Sequence, residues 1–166
     1  MKLENTKEFP FSMETAWAAL HKPAMLDVEV GSEVRVISDT TWEAHNKDSG
    51  TVTAYSASFD EENKVLIIDG VSSIDNHHDH MYLTLTELAP DRVSLEIVIE
   101  INTGLHLIAK ALGALLAKPM QSIITKHIYH NFEALCTGQE TRRMSKAELD
   151  DIAKKTFERK HGQEEP

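Results

Sequence analysis

The sequence predicts an α+β fold in which a curved antiparallel sheet of six or seven strands wraps around a long C-terminal helix. Three observations carry this expectation. Between Ser32 and Ile101 apolar and polar residues alternate, with short polar turns between the runs, the pattern of half-buried antiparallel strands. From Leu105 to Leu135 the apolar spacing becomes helical. A short helical segment stands between the first strand-like stretch and the rest.

Taken in order, Lys2 to Phe11 reads as a strand stopped near Pro10. Ser12 then has the place of a helix N-cap, with Glu14 in the first turn, where a negative charge suits the helix dipole. Ala16, Trp17 and Leu20 share one face of a helix from Met13 to His21. Pro23 ends it, and Ala24 to Leu26 can add one more turn. Val34 and Val36 open the period-two region, and Trp42 and Ala44 continue it to a turn at Asn46–Gly50. Strands follow at Thr51–Phe59, Lys64–Ile74 and Met81–Leu88. Gly70 is a candidate bulge, and Asp75–Asp79 a polar loop. After a turn at Ala89–Asp91, Val93, Leu95, Ile97, Ile99 and Ile101 line up on one face.

In the long helix, Leu105, Ile108, Ala109, Leu112, Leu116, Met120, Ile123 and Ile124 form one stripe at about 100° per residue. Tyr129 and His130 fall on or near the outer face. Pro119, with Gly113 before it, predicts a kink that either fits the helix to the sheet or opens a mouth. Gly138 is a plausible C-cap. A last amphipathic helix, Lys146 to Lys160, starts with capping-box spacing at Ser145 and Glu148. Two units follow: a body of residues 1–138 and a helical extension of residues 139–166, which either packs back on its own body or makes a homodimer contact.

Composition narrows the function classes. Of 166 residues, 41% are hydrophobic and 27% charged, an ordinary globular mix. The net charge is −10, and the acidic excess lies within residues 1–138. An acidic body repels phosphates, which argues against nucleic acid and anionic membrane surfaces as partners. The charged opening predicts no secretory leader. The most apolar stretch, Leu105–Ala117, is short of the ~20 residues that a span needs. The single cysteine, Cys136, allows no intramolecular disulfide and no cysteine-based zinc site. A cytoplasmic location is expected, with no cofactor. No phosphate-binding glycine loop or Gly-x-Ser-x-Gly elbow is present.

Two polar groupings invite chemistry. His127 and Asn131 sit one helical turn apart beside the apolar stripe. A buried histidine must be hydrogen-bonded, so the pair either orients a ligand's hydroxyl or carbonyl or is tied to strand side chains and water. If there is catalysis, His127 is the candidate general acid/base, because its ordinary pKa lies near neutrality. His77-His78-Asp79-His80 resembles a metal cluster, but adjacent residues of an extended chain point in opposite directions, and a solvated loop with no metal is the better reading.

The order of elements resembles the START/Bet v 1-like superfamily and, within it, the polyketide cyclase/dehydrase-type bacterial proteins. Pro10-Phe11-Ser12-Met13-Glu14-Thr15-Ala16-Trp17 looks like that family's opening, where a strand runs into a helix bearing a Trp and a Pro follows, here Pro23. Asp91-Arg92-Val93-Ser94-Leu95 is similar to its penultimate hairpin. The resemblance covers about residues 1–138 and implies a helix-grip fold with a cavity between sheet and long helix, used in the family for lipids, sterols, plant hormones or polyketides. The lining expected here is Trp42, Tyr55, Met81, Leu83, Ile97 and Ile99 from the sheet, and Leu112, Leu116, Met120, Ile123, His127 and Asn131 from the helix. Three functions follow: a carrier or sensor for a small hydrophobic ligand, a cyclase- or dehydratase-like enzyme using His127 with Asn131 or Tyr55, and a protein-binding adaptor acting through the acidic body or the last helix.

Overall fold

A computed structural model describes residues 2–47, 50–73, 78–101 and 118–164. Strand β1 (Lys2–Phe9) leads into α1 (Met13–Leu20) and a 3-10 turn (Pro23–Leu26). Six strands follow: β2 (Glu33–Val36), β3 (Thr41–Asn46), β4 (Thr51–Asp60), β5 (Val65–Ser72), β6 (His78–Ala89) and β7 (Arg92–Ile101). Helices α2 (Lys118–Thr137) and α3 (Lys146–Glu164) complete the described chain.

The seven strands form one antiparallel sheet in the order β1-β7-β6-β5-β4-β3-β2. After β1, each strand pairs with the next in sequence, and β1 closes against β7. Registered partners share a face, so the alternation read from the sequence resolves into rows across the inner side. One row is Asn5, Ile97, Leu83, Leu66 and Phe59. The next is Leu3, Ile99, Met81, Ile68 and Ala57. The row beyond runs Asp79, Gly70, Tyr55, Trp42 and Val36.

Helix α2 lies against this inner side. Phe132 is fully buried, with its ring edge-on to Phe9 at 4.9 Å between centroids. Ile128 is buried beside it in the same core as Leu83, Leu95 and Ile97. Tyr129 also faces the sheet rather than the outer side, because its ring tilts against Phe9 and its hydroxyl donates to Asn5 Oδ1 at 2.8 Å. His130 is exposed.

Local signals behave as their chemistry dictates. Ser12 caps α1, its hydroxyl accepting from the Thr15 amide. Gly138 takes a positive φ of 72°, and the Gln139 amide donates to the Ala134 carbonyl, closing α2 in a Schellman-type turn. The Ser145 hydroxyl accepts from the Glu148 amide at the start of α3. Two local expectations need correcting. Gly70 makes no bulge: β5 stays in register through it on both sides, and the irregularity lies between Glu87 and Ala89. His78 to His80 are not loop but the start of β6, where His80 pairs with Asp69 across the strands and its Nδ1 lies 2.5 Å from Asp69 Oδ1. The part of the long helix before Lys118, with Gly113, lies outside the described residues.

Residues 139–166 begin by threading back onto the body. The Gly31 amide donates to the Met144 carbonyl, and Met144 is buried. Leu149 of α3 comes up against Gly31, where a Cβ would sit 3.3 Å from Leu149 Cδ2.

Candidate functional site

Two polar assemblies are built on this frame. The first joins α2 to the end of the 3-10 turn and to the segment after α2. Asp27 follows the turn in a left-handed conformation, φ 55° and ψ 58°, which a short polar side chain tolerates better than most. Its carboxylate is buried. Oδ2 accepts from His127 Nε2 at 2.8 Å and from the Met144 amide at 2.9 Å. Oδ1 lies 3.5 Å from Arg143 Nη1, an ion-pair contact rather than a hydrogen bond. Arg143 also donates to the Ala24 carbonyl. Asn131, fully buried, donates from Nδ2 to the carbonyls of Leu26 (3.1 Å) and Arg142 (2.9 Å), and its Oδ1 accepts from the Arg142 amide at 2.8 Å. Both amide protons and the carbonyl of Asn131 are therefore committed. The polar pair expected on the long helix is present, and its bonds close on Asp27 and on backbone.

The second assembly lies on the inner side at the Tyr55 row. Trp42 and Tyr55, cross-strand partners on β3 and β4, stack with centroids 5.4 Å apart and planes 14° apart. The Tyr55 ring extends over Gly70 of β5. A Cβ at that position would stand 2.6 Å from Tyr55 Cε1 and 3.2 Å from Thr53 Cγ2, so the missing side chain is what lets the ring lie across the strand. Next in the row is Asp79, and in the neighbouring rows are Thr53, Met81 and Ile99.

The loop between the 3-10 turn and β2 brings Glu29 to Thr53 of β4. Thr53 hydrogen-bonds to its carboxyl, while Oε2 is buried without any hydrogen-bond partner. Burial raises the Glu29 pKa from 4.5 to about 7, the nearby charges of Asp79 and Asp27 push the same way, and the Thr53 bond opposes them. Burial, then the charges of Glu29 and Asp79, holds the Tyr55 phenol well above its ordinary pKa, so it stays a neutral donor.

The expected sheet residues lie in one buried cluster: Trp42, Met81, Leu83, Ile97 and Ile99 belong to it together with Ile128 and Phe132, and Tyr55 packs against it. On α2, Ile123 is half-buried. Leu112 and Leu116 lie outside the described residues, as does the side chain of Met120. Sequence reasoning missed Glu29, Thr53, Asp79 and Gly70. The only signals were an acid between two valines, Val28-Glu29-Val30, and a glycine inside a strand. Neither speaks until the β4–β5 register places Gly70 opposite Tyr55.

A cleft of about 690 Å³ opens beside α1, between Met13, Trp17, His21, Glu61 and Lys64. Its polar groups are spent on one another: Trp17 Nε1 donates to Glu61 Oε2 at 2.7 Å, and His21 stacks on Phe59. Among the described residues no group of three or more His, Cys, Asp or Glu is placed to hold a metal ion, and no helix is long and apolar enough to cross a membrane. Burial pushes the Cys136 thiol up to about 12, with Glu133 adding to the effect, which leaves it a poor nucleophile.

The sequence matches no family model and no curated protein. Its structure is similar to several solved ones. Norcoclaurine synthase from Thalictrum flavum, in complex with dopamine and hydroxybenzaldehyde, aligns at TM-score 0.58 and 9% identity over 86% of this chain and 89% of that one. A conserved protein from Geobacillus kaustophilus aligns at 0.53 and 12% identity, covering 93% and 96%. A START superfamily protein from Mycobacterium smegmatis aligns at 0.50 and 13%, covering 82% and 94%. At such identities the likeness is one of fold. With a seven-stranded antiparallel sheet closed by β1 against β7 and a C-terminal helix across its inner side, this chain has the START/Bet v 1-like fold.

Proposed function

We propose that the chain binds a small, largely apolar molecule between the inner side of the sheet and α2, as a carrier or sensor. The observation that carries this reading is the Glu29 end of the inner face. There an apolar wall meets a stacked Trp42–Tyr55 pair, and a buried carboxylate oxygen has no partner. An orphaned buried acceptor costs about 1–3 kcal/mol, a cost that a bound molecule offering a donor removes. Binding sites are commonly apolar, with a few convergent polar groups of this kind. His127 and Asn131 serve instead to hold the 3-10 turn and the 142–144 segment, which form one end of the site's frame.

Native mass spectrometry of protein purified from its own host tests the reading. A co-purifying small molecule, lost on denaturation, is the expected result. An empty protein, together with no binder in a broad screen of apolar compounds, would end it.

Glu29 favours a second reading. A carboxyl held near neutrality is suited to general acid/base work, so an enzyme of cyclase- or dehydratase-like type is the alternative. Glu29→Gln separates the two. A binder loses affinity but has no turnover to lose, whereas an acid/base catalyst loses ~10²–10⁴-fold in rate.

A further inference from the structure

We infer that the chain pairs with a second copy of itself through β2, the two β2 strands running antiparallel about a two-fold axis at Val34. Strand β2 is an edge: the sheet ends on it, and among the described residues nothing pairs with its far side. The ladder to β3 fixes which backbone groups are spent. The Ile37 amide donates to the Thr41 carbonyl, and this pair continues the register of Glu33 with His45 and Arg35 with Glu43. Bonded residues alternate along an antiparallel pair. Glu33, Arg35 and Ile37 therefore turn their amides and carbonyls to β3, and Val34 and Val36 turn theirs outward. An outward row of donors and acceptors is a template for another strand. Neither a proline nor a register shift interrupts β2, two devices by which proteins blunt such edges. A ladder of four residues is short, and the side chains decide what completes it.

Centred on Val34, the pairing sets Glu33 opposite Arg35 of the second copy, and Arg35 opposite its Glu33. Both side chains are exposed on the outer face, where Arg35 already neighbours Glu43. Charge then alternates from Glu43 to Arg35 to Glu33 of the second copy. Glu33 Oε1 lies 2.6 Å from Lys47 Nζ in an exposed pair, and its Oε2 can take the incoming guanidinium. On the inner face Val34 meets its own copy, with Ala44 behind each. Val36 and Ile37 are 52% and 59% exposed. The pairing lays them opposite Ser32 and Gly31 of the second copy, where their apolar surface leaves water. A slip of two residues, centred on Val36, would bring Glu33 opposite Asp39, so the charges select the Val34 register. A foreign strand could take the backbone bonds, but only a second copy supplies the charge pair twice by symmetry.

Sedimentation velocity of the full chain over a concentration series tests this, with amide hydrogen exchange at matched concentrations. The wild type should dimerise, and protection of the Val34 and Val36 amides should rise with concentration. Val36→Pro removes an outward amide and no bond to β3, so it should keep its fold by circular dichroism and stay monomeric. Glu33→Arg and Arg35→Glu should each weaken the dimer about 10-fold or more, because two attractive contacts become repulsive. Mixed together, the two variants should associate as the wild type does, since one then carries two cations along the edge and the other two carboxylates. A monomeric wild type, a dimer indifferent to Val36→Pro, or two charge variants that mixing does not rescue would overturn the assignment.

Discussion

Two carboxylates two residues apart, each with one oxygen that accepts no hydrogen bond, differ in what surrounds them. Asp27 is surrounded by donors on its Oδ2 side: a histidine from α2 and an amide from the chain after it, with Arg143 beside the other oxygen. Glu29 has one threonine, two acidic neighbours and an oxygen with nothing to accept. The first arrangement ties three segments together. The second, on the reading proposed above, is where a ligand's donor would go. His127, the group that most resembles a catalyst in the sequence, has its Nε2 on Asp27, whereas Glu29 resembles a loop residue.

The sharpest way to break this contrast is Asp27→Ala. It strands His127, Arg143 and the Met144 amide at once, and unfolding in urea should show a loss of about 3–5 kcal/mol. A loss under ~1 kcal/mol, the level of an ordinary surface pair, would mean that the clasp is ornamental.

Glu29 should behave in the reverse sense. Its carboxyl titrates near 7 in the fold and near 4.5 when unfolded. Below about 4.5 both states hold the proton. Between 4.5 and 7 the folded state keeps it while the unfolded state sheds it, so stability falls as pH rises across that window and is level above it. The total should be on the order of 3 kcal/mol, and Glu29→Gln should flatten the profile. Denaturation midpoints at several pH values check it; a slope unchanged in the variant would assign the titration elsewhere.

Gly70→Ala tests the Trp42–Tyr55 stack. A methyl there meets the Tyr55 ring at 2.6 Å, and overpacking of this kind costs about 1–3 kcal/mol. Pairing it with Tyr55→Leu should recover most of the loss, because the clash needs both partners. Simple additivity would show that the ring is not what the glycine accommodates.

Tyr129→Phe gives the smallest effect. The Tyr129 hydroxyl has a protein partner in Asn5, so its removal should cost about 1 kcal/mol in urea unfolding; no measurable loss would show that the bond to β1 adds nothing to stability.

Much of the fold was legible because it rests on periodicity. The run from Val93 to Ile101 alternates so cleanly that its inner face could be named, and Gly138 marked the end of α2 by its backbone freedom. The capping serines and the antiparallel hairpins follow from local chemistry in the same way. What escaped was long-range. The His78–His80 run looked like a solvated loop because its polar side chains did not make a metal site, yet β5 and β7 on either side recruit it as strand. Tyr129 was misplaced because its partner, Asn5, lies across the sheet on the first strand. Asp27 and Glu29 sit in a segment with no period at all, and their roles exist only once β4, β6, α2 and the 142–144 segment have converged on them.

The contacts of Asp27 also set an order of events. Its histidine comes 100 residues later and its Met144 amide 117 residues later. As the chain leaves the ribosome, the 3-10 turn would present a carboxylate without these partners until residue 144 has emerged. Closure of this part of the fold is therefore expected only after residues 142–144 emerge, and a nascent chain stalled before Arg142 should remain protease-sensitive at Pro23–Leu26 even with all seven strands already translated.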